Sequence, residues 1–246
     1  MYKRQVFANR SKYLPGQTPA LPSATFGKSK EIFNPSELAS AYNLMISSVT
    51  PRPIALVSSR SKPNDPKAPC IDNVAPFSYF GAVAHDPPMI SIGFCRKGRN
   101  MVKKDSLVNI EARKEFVVNI MSEWYLDAAN HACGMFPPEV DEFEISGLTK
   151  VDDCQVVNAP RVKEAAVSYE CQLEHVYPVV NDKGDPTTEI VLARIVRIHV
   201  DHTVLAENYD PTKPEVDTTK LKPIGRLGGN IYTNLGDLVD IPRPQV

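Results

Sequence analysis

The sequence predicts a mainly β protein: an antiparallel β-barrel of about six strands with peripheral helices, built as one domain. Three observations carry that prediction. In Thr50-Pro51-Arg52-Pro53 the two prolines fix φ and bar a helix, and the apolar β-formers that follow through Ser59 make a rigid turn feeding a buried strand. Over residues 88–94, Met89, Ser91 and Gly93 alternate with Ile90, Ile92 and Phe94, a two-residue period with the small and polar positions on one face. Farther on, Val167, Tyr169, Cys171 and Leu173 alternate with Ser168, Glu170, Gln172 and Glu174. The turn Asn181-Asp182-Lys183-Gly184-Asp185 then returns the chain into a long strand over residues 188–200. Hydrophobic residues make up 42% of the 246, enough to give a single all-β domain of this length a real core.

In chain order, residues 1–33 form an N-terminal arm and residues 34–240 the domain. The arm carries Lys3, Arg4, Arg10, Lys12, Lys28 and Lys30 with no acid among its first thirty residues, the charge balance of an organellar presequence. Pro15, Pro19 and Pro22 break the amphipathic helix such a signal needs, which favours a flexible arm or a strap over a partner subunit. Asn34-Pro35-Ser36-Glu37 combines an N-cap, a proline at the first helical position and an acid that can reach back, so a helix is expected from there to about Met45. The charged, proline-broken run over residues 60–69 reads as a hairpin loop. An amphipathic helix is expected to begin near Asp105, with Asp105 as its cap. A strand is expected over residues 116–121 and a short helix capped by Ser122 over 124–132. Residues 140–149 read as loop and turn, and residues 207–222 as an exposed loop.

Composition excludes several classes of function. A formal net charge of −1 gives no basic field for nucleic acid or for an anionic membrane surface. The most apolar run, residues 190–200, is interrupted by Arg194, Arg197 and His199, so no membrane-spanning segment is expected. Five scattered cysteines without a Cys-x-x-Cys pair are the usage of a reducing compartment, which places the chain in the cytoplasm. His199 and His202 with Cys171 or His175 match no zinc spacing, and His131 near Cys133 lies in no nucleophile motif, so no metal is expected. Neither a Gly-x-Gly-x-x-Gly turn nor a Walker loop is present; a nicotinamide cofactor, if used, visits rather than being gripped.

The chemistry-bearing segments occur in a definite order. Residues 50–59 come first, then Asn73-Val74-Ala75-Pro76-Phe77-Ser78-Tyr79-Phe80, then Asp86-Pro87-Pro88-Met89-Ile90-Ser91-Ile92-Gly93. Lys103-Lys104-Asp105-Ser106-Leu107-Val108-Asn109-Ile110 follows, and Arg226-Leu227-Gly228-Gly229-Asn230-Ile231-Tyr232 closes the set. Together they resemble the flavin reductase-like, FMN-binding split-barrel family from about Thr50 to Tyr232, and Val140-Asp141-Glu142-Phe143 is similar to a connection usual in that family. The resemblance implies FMN as cofactor, NAD(P)H as transient co-substrate and a homodimer with FMN near the subunit interface. It implies an NAD(P)H-dependent oxidoreductase that passes hydride to flavin N5 and onward to oxygen, free flavin or another acceptor. The alternative is a non-catalytic FMN-binding or electron-transfer flavoprotein of the same fold.

FMN needs cations, hydroxyls and backbone N–H groups for its phosphate, a flat apolar wall for its ring, and donors at the pyrimidine edge. For the phosphate, the resemblance offers Lys104, Ser106 (where the family more usually has Thr) and the N–H groups at the start of the helix. Thr50 and Arg52 stand together at the mouth of the first strand, and Arg52 suits either the phosphate or the pyrimidine edge. Asn73 and Ser78 suit ribityl or ring-edge contacts, and the backbone of Ala75, Pro76 and Phe77 can lie along the ring. Pro53, Ile54 and Pro76 would form the wall, and Ser91 and Gly93 lie on the permissive strand face. No side chain is required as acid or base, because the flavin carries the chemistry.

Overall fold

The computed structural model describes residues 30–96 and 101–239, together with Ser23, Gly27 and Ile241; the predicted N-terminal arm lies largely outside them. The helices are α1 (Tyr42–Ser48), α2 (Asp105–Arg113), α3 (Leu126–His131), α4 (Glu142–Ser146) and α5 (Thr218–Leu221). The strands begin with β1 (Arg52–Pro53), β2 (Ala55–Arg60), β3 (Asp72–Phe77), β4 (Phe80–His85), β5 (Pro88–Cys95) and β6 (Glu115–Ile120). They continue with β7 (Lys150–Val151), β8 (Arg161–Val162), β9 (Val167–Val180), β10 (Pro186–Val200), β11 (Ile224–Arg226) and β12 (Tyr232–Asn234).

Seven strands form one antiparallel sheet in the order β3-β2-β6-β9-β10-β5-β4. Its two edge strands, β3 and β4, are separated in the chain only by Ser78 and Tyr79. A flat seven-stranded sheet would hold its edges tens of ångströms apart, so the sheet curls into a barrel. At this seam the Gly93 N–H donates to the Tyr79 carbonyl at 2.7 Å. A Cβ on Gly93 would lie 3.0 Å from Tyr79 Cβ, so the glycine lets the tyrosine close over β5. The architecture is the predicted mainly β split barrel.

One face of the sheet contributes Ala55, Val57, Ile90, Ile92, Phe94, Phe116, Val118 and Val191 to the core, where Leu107 and Ile110 of α2 join them. The other face of β2 and β3 turns Ile54, Leu56 and Val74 toward Ala129 of α3 and Phe143 of α4. Strand β2 is therefore buried on both faces, which is why it lacks alternation. On β5, Ile90, Ile92 and Phe94 point inward, as the two-residue period predicts. Two small sheets, β1-β11-β12 and β7-β8, flank the barrel.

Several local expectations are corrected. Asn34 does cap, its Oδ1 accepting from the Ser36 N–H, but the turn it starts is a single 3-10 turn, Pro35–Glu37. Leu38 is extended, and α1 begins afresh behind Ser40, whose Oγ accepts from the Tyr42 N–H. Lys104, not Asp105, occupies the N-cap position of α2. The Ser122 hydroxyl makes no cap; its Oγ is buried without a partner, and a 3-10 turn (Glu123–Tyr125) leads into α3. Residues 140–149 hold a helix, α4, because Asp141 caps it through the Phe143 N–H and Gly147, at φ +73°, ends it. Residues 207–222 are mostly exposed loop, except that Asp217 caps the short helix α5.

Candidate functional site

Arg52 is buried, and its guanidinium is committed to the protein's own backbone. Nη1 donates to the carbonyls of Ile46 and Val49 at 2.6 Å each, and Nη2 donates to the Leu227 carbonyl at 2.8 Å. Two of these carbonyls lie at the C-terminal end of α1, where helix carbonyls lack intrahelical partners and favour a cation. The arginine thus clasps α1 to the segment following β11. Where the sequence expects Arg52 at a phosphate or a pyrimidine edge, three of its five N–H groups hold backbone carbonyls, while Nε, buried without a partner, and one Nη2 hydrogen remain uncommitted in the cavity wall.

Around that clasp opens a cavity of about 350 Å³, lined by Met45 and Ile46 of α1 and Val49 just after it, by Pro51, Arg52 and Pro53, and by Ser78, Tyr79 and Phe80 at the barrel seam. The wall is mainly apolar, and its volume lies at the small end of ligand sites. Pro53 and Ser78 of the predicted set are part of it. Ile54 is not: it points into the core between barrel and helices. Thr50 is exposed beside the cavity's Pro51.

Strand β3 leads away from this cavity to a buried polar cluster. Asn73 Nδ2 donates to Glu142 Oε1 at 2.8 Å, and Asn73 Oδ1 accepts from Ser106 Oγ at 2.5 Å. Ser106 is the second residue of α2, so the cluster sits against that helix's N-terminus. Lys104, half-buried, places Nζ 5.4 Å from the centre of the Phe77 ring, and Phe77 in turn packs on Phe94 at 4.4 Å. Ala75 and Pro76 are half-buried along β3 between the two ends, opposite Val57 and Leu56. From Asn73 to Ser78 the strand covers roughly 16 Å at about 3.3 Å per residue.

The structure therefore brings Asn73 and Ser106 together at one end of β3, while the Lys104 ammonium lies over Phe77 at the other end, where Pro53 and Ser78 line the cavity. Ser91 and Gly93 lie elsewhere in the barrel wall. Ser91 is half-buried between Gly81 of β4 and Leu192 of β10. The small face of β5 at Gly93 is filled by Tyr79 of this same chain, which corrects the expectation of a planar ligand against it.

Glu142 was not among the expected site residues. It is 5% exposed, its Oε2 has no partner, and burial, reinforced by Asp105, pushes its pKa up to about 7 against the bonds it accepts. The readable signal was the Asp141 cap three residues after Pro138, which would have placed Glu142 on a helix. Met45, Ile46 and Val49 were also missed; only the tertiary clasp brings α1 to the cavity.

On another face of the barrel, Cys154, Glu170 and His199 bring their ligand atoms within 4.8 Å of one another. Glu170 there accepts from the N–H groups of Gln155, Val156 and Val157 and pairs with His199 Nε2 at 2.6 Å. Those four partners occupy the carboxylate, and burial pushes the Cys154 thiol up to about 12. The cluster pins the loop at 155–157 to β9 and β10.

Residues 46–214 match the flavin reductase like domain family. This chain belongs to the flavin reductase-like family. An uncharacterized protein of Halalkalibacterium halodurans is 33% identical over 215 residues, spanning 87% of this chain and 96% of its own. Among solved structures, nitrilotriacetate monooxygenase component B from Bacillus cereus is 33% identical and superposes with a TM-score of 0.77, covering 87% of this chain and 99% of its own. The 2-nitrobenzoate 2-nitroreductase of Pseudomonas fluorescens is 27% identical with a TM-score of 0.71, covering 87% and 96%. Membership accounts for the barrel and for the ordered set of motifs on it. Among the described residues, no helix is long and apolar enough to cross a membrane.

Proposed function

We propose that this flavin reductase-like protein is an FMN-binding oxidoreductase that uses NAD(P)H, with its flavin domain spanning residues 34–240. The observation that carries the reading is the layout of β3: an apolar cavity at the seam, a lysine ammonium over Phe77 beside that end, and a buried amide-hydroxyl cluster at the far end against the start of α2. This donor set fits a phosphorylated tricyclic ring. The helix N-terminus, Lys104 and Ser106 suit a phosphate, and the apolar wall suits a flat ring system.

When bound, FMN would supply the redox chemistry, hydride from NAD(P)H entering at N5 and two electrons with protons leaving to oxygen, free flavin or another acceptor. The chain's residues bind and orient. Lys104 would supply charge to the phosphate and the first N–H groups of α2 would supply donors, with the Ser106 hydroxyl joining them by turning away from Asn73 Oδ1. Asn73 and Ser78 hold the ribityl chain or the ring edge, and the backbone of Ala75, Pro76 and Phe77 runs beside the ring. Pro53 and the side chains of α1 exclude water from the cavity, and Arg52 keeps α1 in place to do so. Tyr42, Leu44, Met45 and Val49 leave large apolar surface exposed on and after α1, which supports a homodimer with the flavin near its interface. Five free cysteines support a cytoplasmic location.

Purified protein is expected to be yellow, or to become so with added FMN, and to bleach when NADH or NADPH is added without air. Colourless protein that fails to take up FMN would end this reading. Bound FMN that both nicotinamides leave oxidised would instead assign an electron-carrying or structural flavin.

A further inference from the structure

The carboxyl of Glu142 has no role in the layout just described, yet it is wired into it. Its Oε1 accepts from Asn73 Nδ2 at 2.8 Å, and the same amide's Oδ1 accepts from Ser106 Oγ at 2.5 Å. One hydrogen-bonded line therefore runs from the carboxyl, through a single amide whose orientation it dictates, to a hydroxyl on the first turn of α2. The other carboxyl oxygen, Oε2, is buried with no partner at full hydrogen-bond geometry on a residue that is 5% exposed, although the backbone N–H groups of Glu142 and Val74 lie toward the carboxyl and favour its charged form. Burial outweighs those donors, so the neutral carboxyl costs less there than the carboxylate.

We propose that Glu142 is a proton-linked positioning residue of the flavin phosphate end: binding of a phosphorylated flavin draws up to one proton from solvent onto Glu142 Oε2, so that affinity for FMN falls as the medium becomes alkaline. The inference rests on the FMN reading above. Its physical basis is the charge already facing this carboxyl. On α2, Asp105 adds negative charge, and Lys104 is the cation, held over Phe77. On β3, Asp72 is paired with Arg60 and Lys150; on α4 itself, Asp141 is paired with Lys150 and Glu144 is exposed. The adjacent α3 contributes Asp127 and His131, both exposed to solvent. No described cation touches Glu142, so a phosphate dianion arriving at α2 adds repulsion that a proton on Oε2 relieves. Without ligand, burial already leaves this group titrating near neutrality, at about 7, so the proton is available over the physiological range.

Calorimetric titration of FMN into the whole protein at pH 7.5, in two buffers of different ionisation enthalpy, counts the protons taken up. The expected result is uptake of roughly half a proton per FMN, with affinity about tenfold weaker at pH 9 than at pH 6. Riboflavin, the same ring without phosphate, is expected to bind with no uptake. In Glu142→Gln the uptake is lost and the pH profile flattens, while a merely structural role would change stability and leave the proton count unchanged. Should the variant fail to fold, the wild-type count decides alone. FMN binding without proton uptake, or equal uptake with riboflavin, overturns the assignment of Glu142. Absence of FMN binding at any pH overturns the flavin reading itself, and this inference with it.

Discussion

Replacing Arg52 with alanine separates a structural guanidinium from a ligand-binding one. Three bonds to carbonyls are lost, at 2.6, 2.6 and 2.8 Å, each from a charged donor. Such bonds contribute about 1.5 to 3 kcal/mol apiece, but α1 is at the surface and water can reach some of the abandoned carbonyls. A loss of about 3 to 5 kcal/mol is expected, a large fraction of a typical domain's stability. Urea denaturation followed by fluorescence of the single tryptophan, Trp124, measures it; that indole is anchored by donating to the Glu164 carbonyl at 2.9 Å. Arg52→Lys keeps the charge but not the fork, and is expected to recover about half of the loss. FMN affinity is expected to fall only in proportion to the loosening of α1. Unchanged stability with abolished FMN binding would refute the clasp and return Arg52 to the ligand.

Lys104→Ala is expected to weaken FMN binding by about 1 to 3 kcal/mol, measured by fluorescence titration, because a charge-assisted bond to phosphate is removed; unchanged affinity would assign the wrong cation. Gly93→Val is expected to cost about 1 to 3 kcal/mol in urea denaturation, because its side chain collides with Tyr79 at the seam. Glu142 is an acid whose folded pKa is raised from the usual 4.5 to about 7. Its contribution to stability is therefore full below about pH 4.5 and is lost as pH rises through about 7. Melting temperature of the flavin-free protein should decline over that window, and Glu142→Gln should remove the decline.

Much of the barrel was legible because its strands declare themselves by period and punctuation. Residues 88–94 alternate, residues 167–200 alternate around an Asn-Asp-Lys-Gly-Asp turn, and prolines mark the entry to β2. Helix boundaries were less legible, since Asn34 and Asp105 are good caps in isolation while the chain's real starts are decided by what each turn packs against. Among the expected ligand residues, Asn73 and Ser106 are hydrogen-bonded to each other, and Lys104 lies over Phe77 at the opposite end of β3. Arg52 does not join them, because its partners include Leu227, far along the chain, and no local pattern announces a bond to a distant carbonyl. Gly93 was rightly read as permitting a close approach, but the approaching group is Tyr79. Glu142 escaped notice because its environment depends on the packing of α4 against β3.

The two-residue link at Ser78 and Tyr79 has a consequence for how this molecule acquires its shape. Joining the outermost ribbons of the sheet requires almost no loop to be closed, whereas β6 has to find both Val57 and Tyr169 as neighbours for Val118. The rate of folding is therefore set by assembly of the middle ribbons from distant parts of the chain. The junction, being local, adds little to that search, so a chain reopened between Ser78 and Tyr79 would still face the same slow assembly.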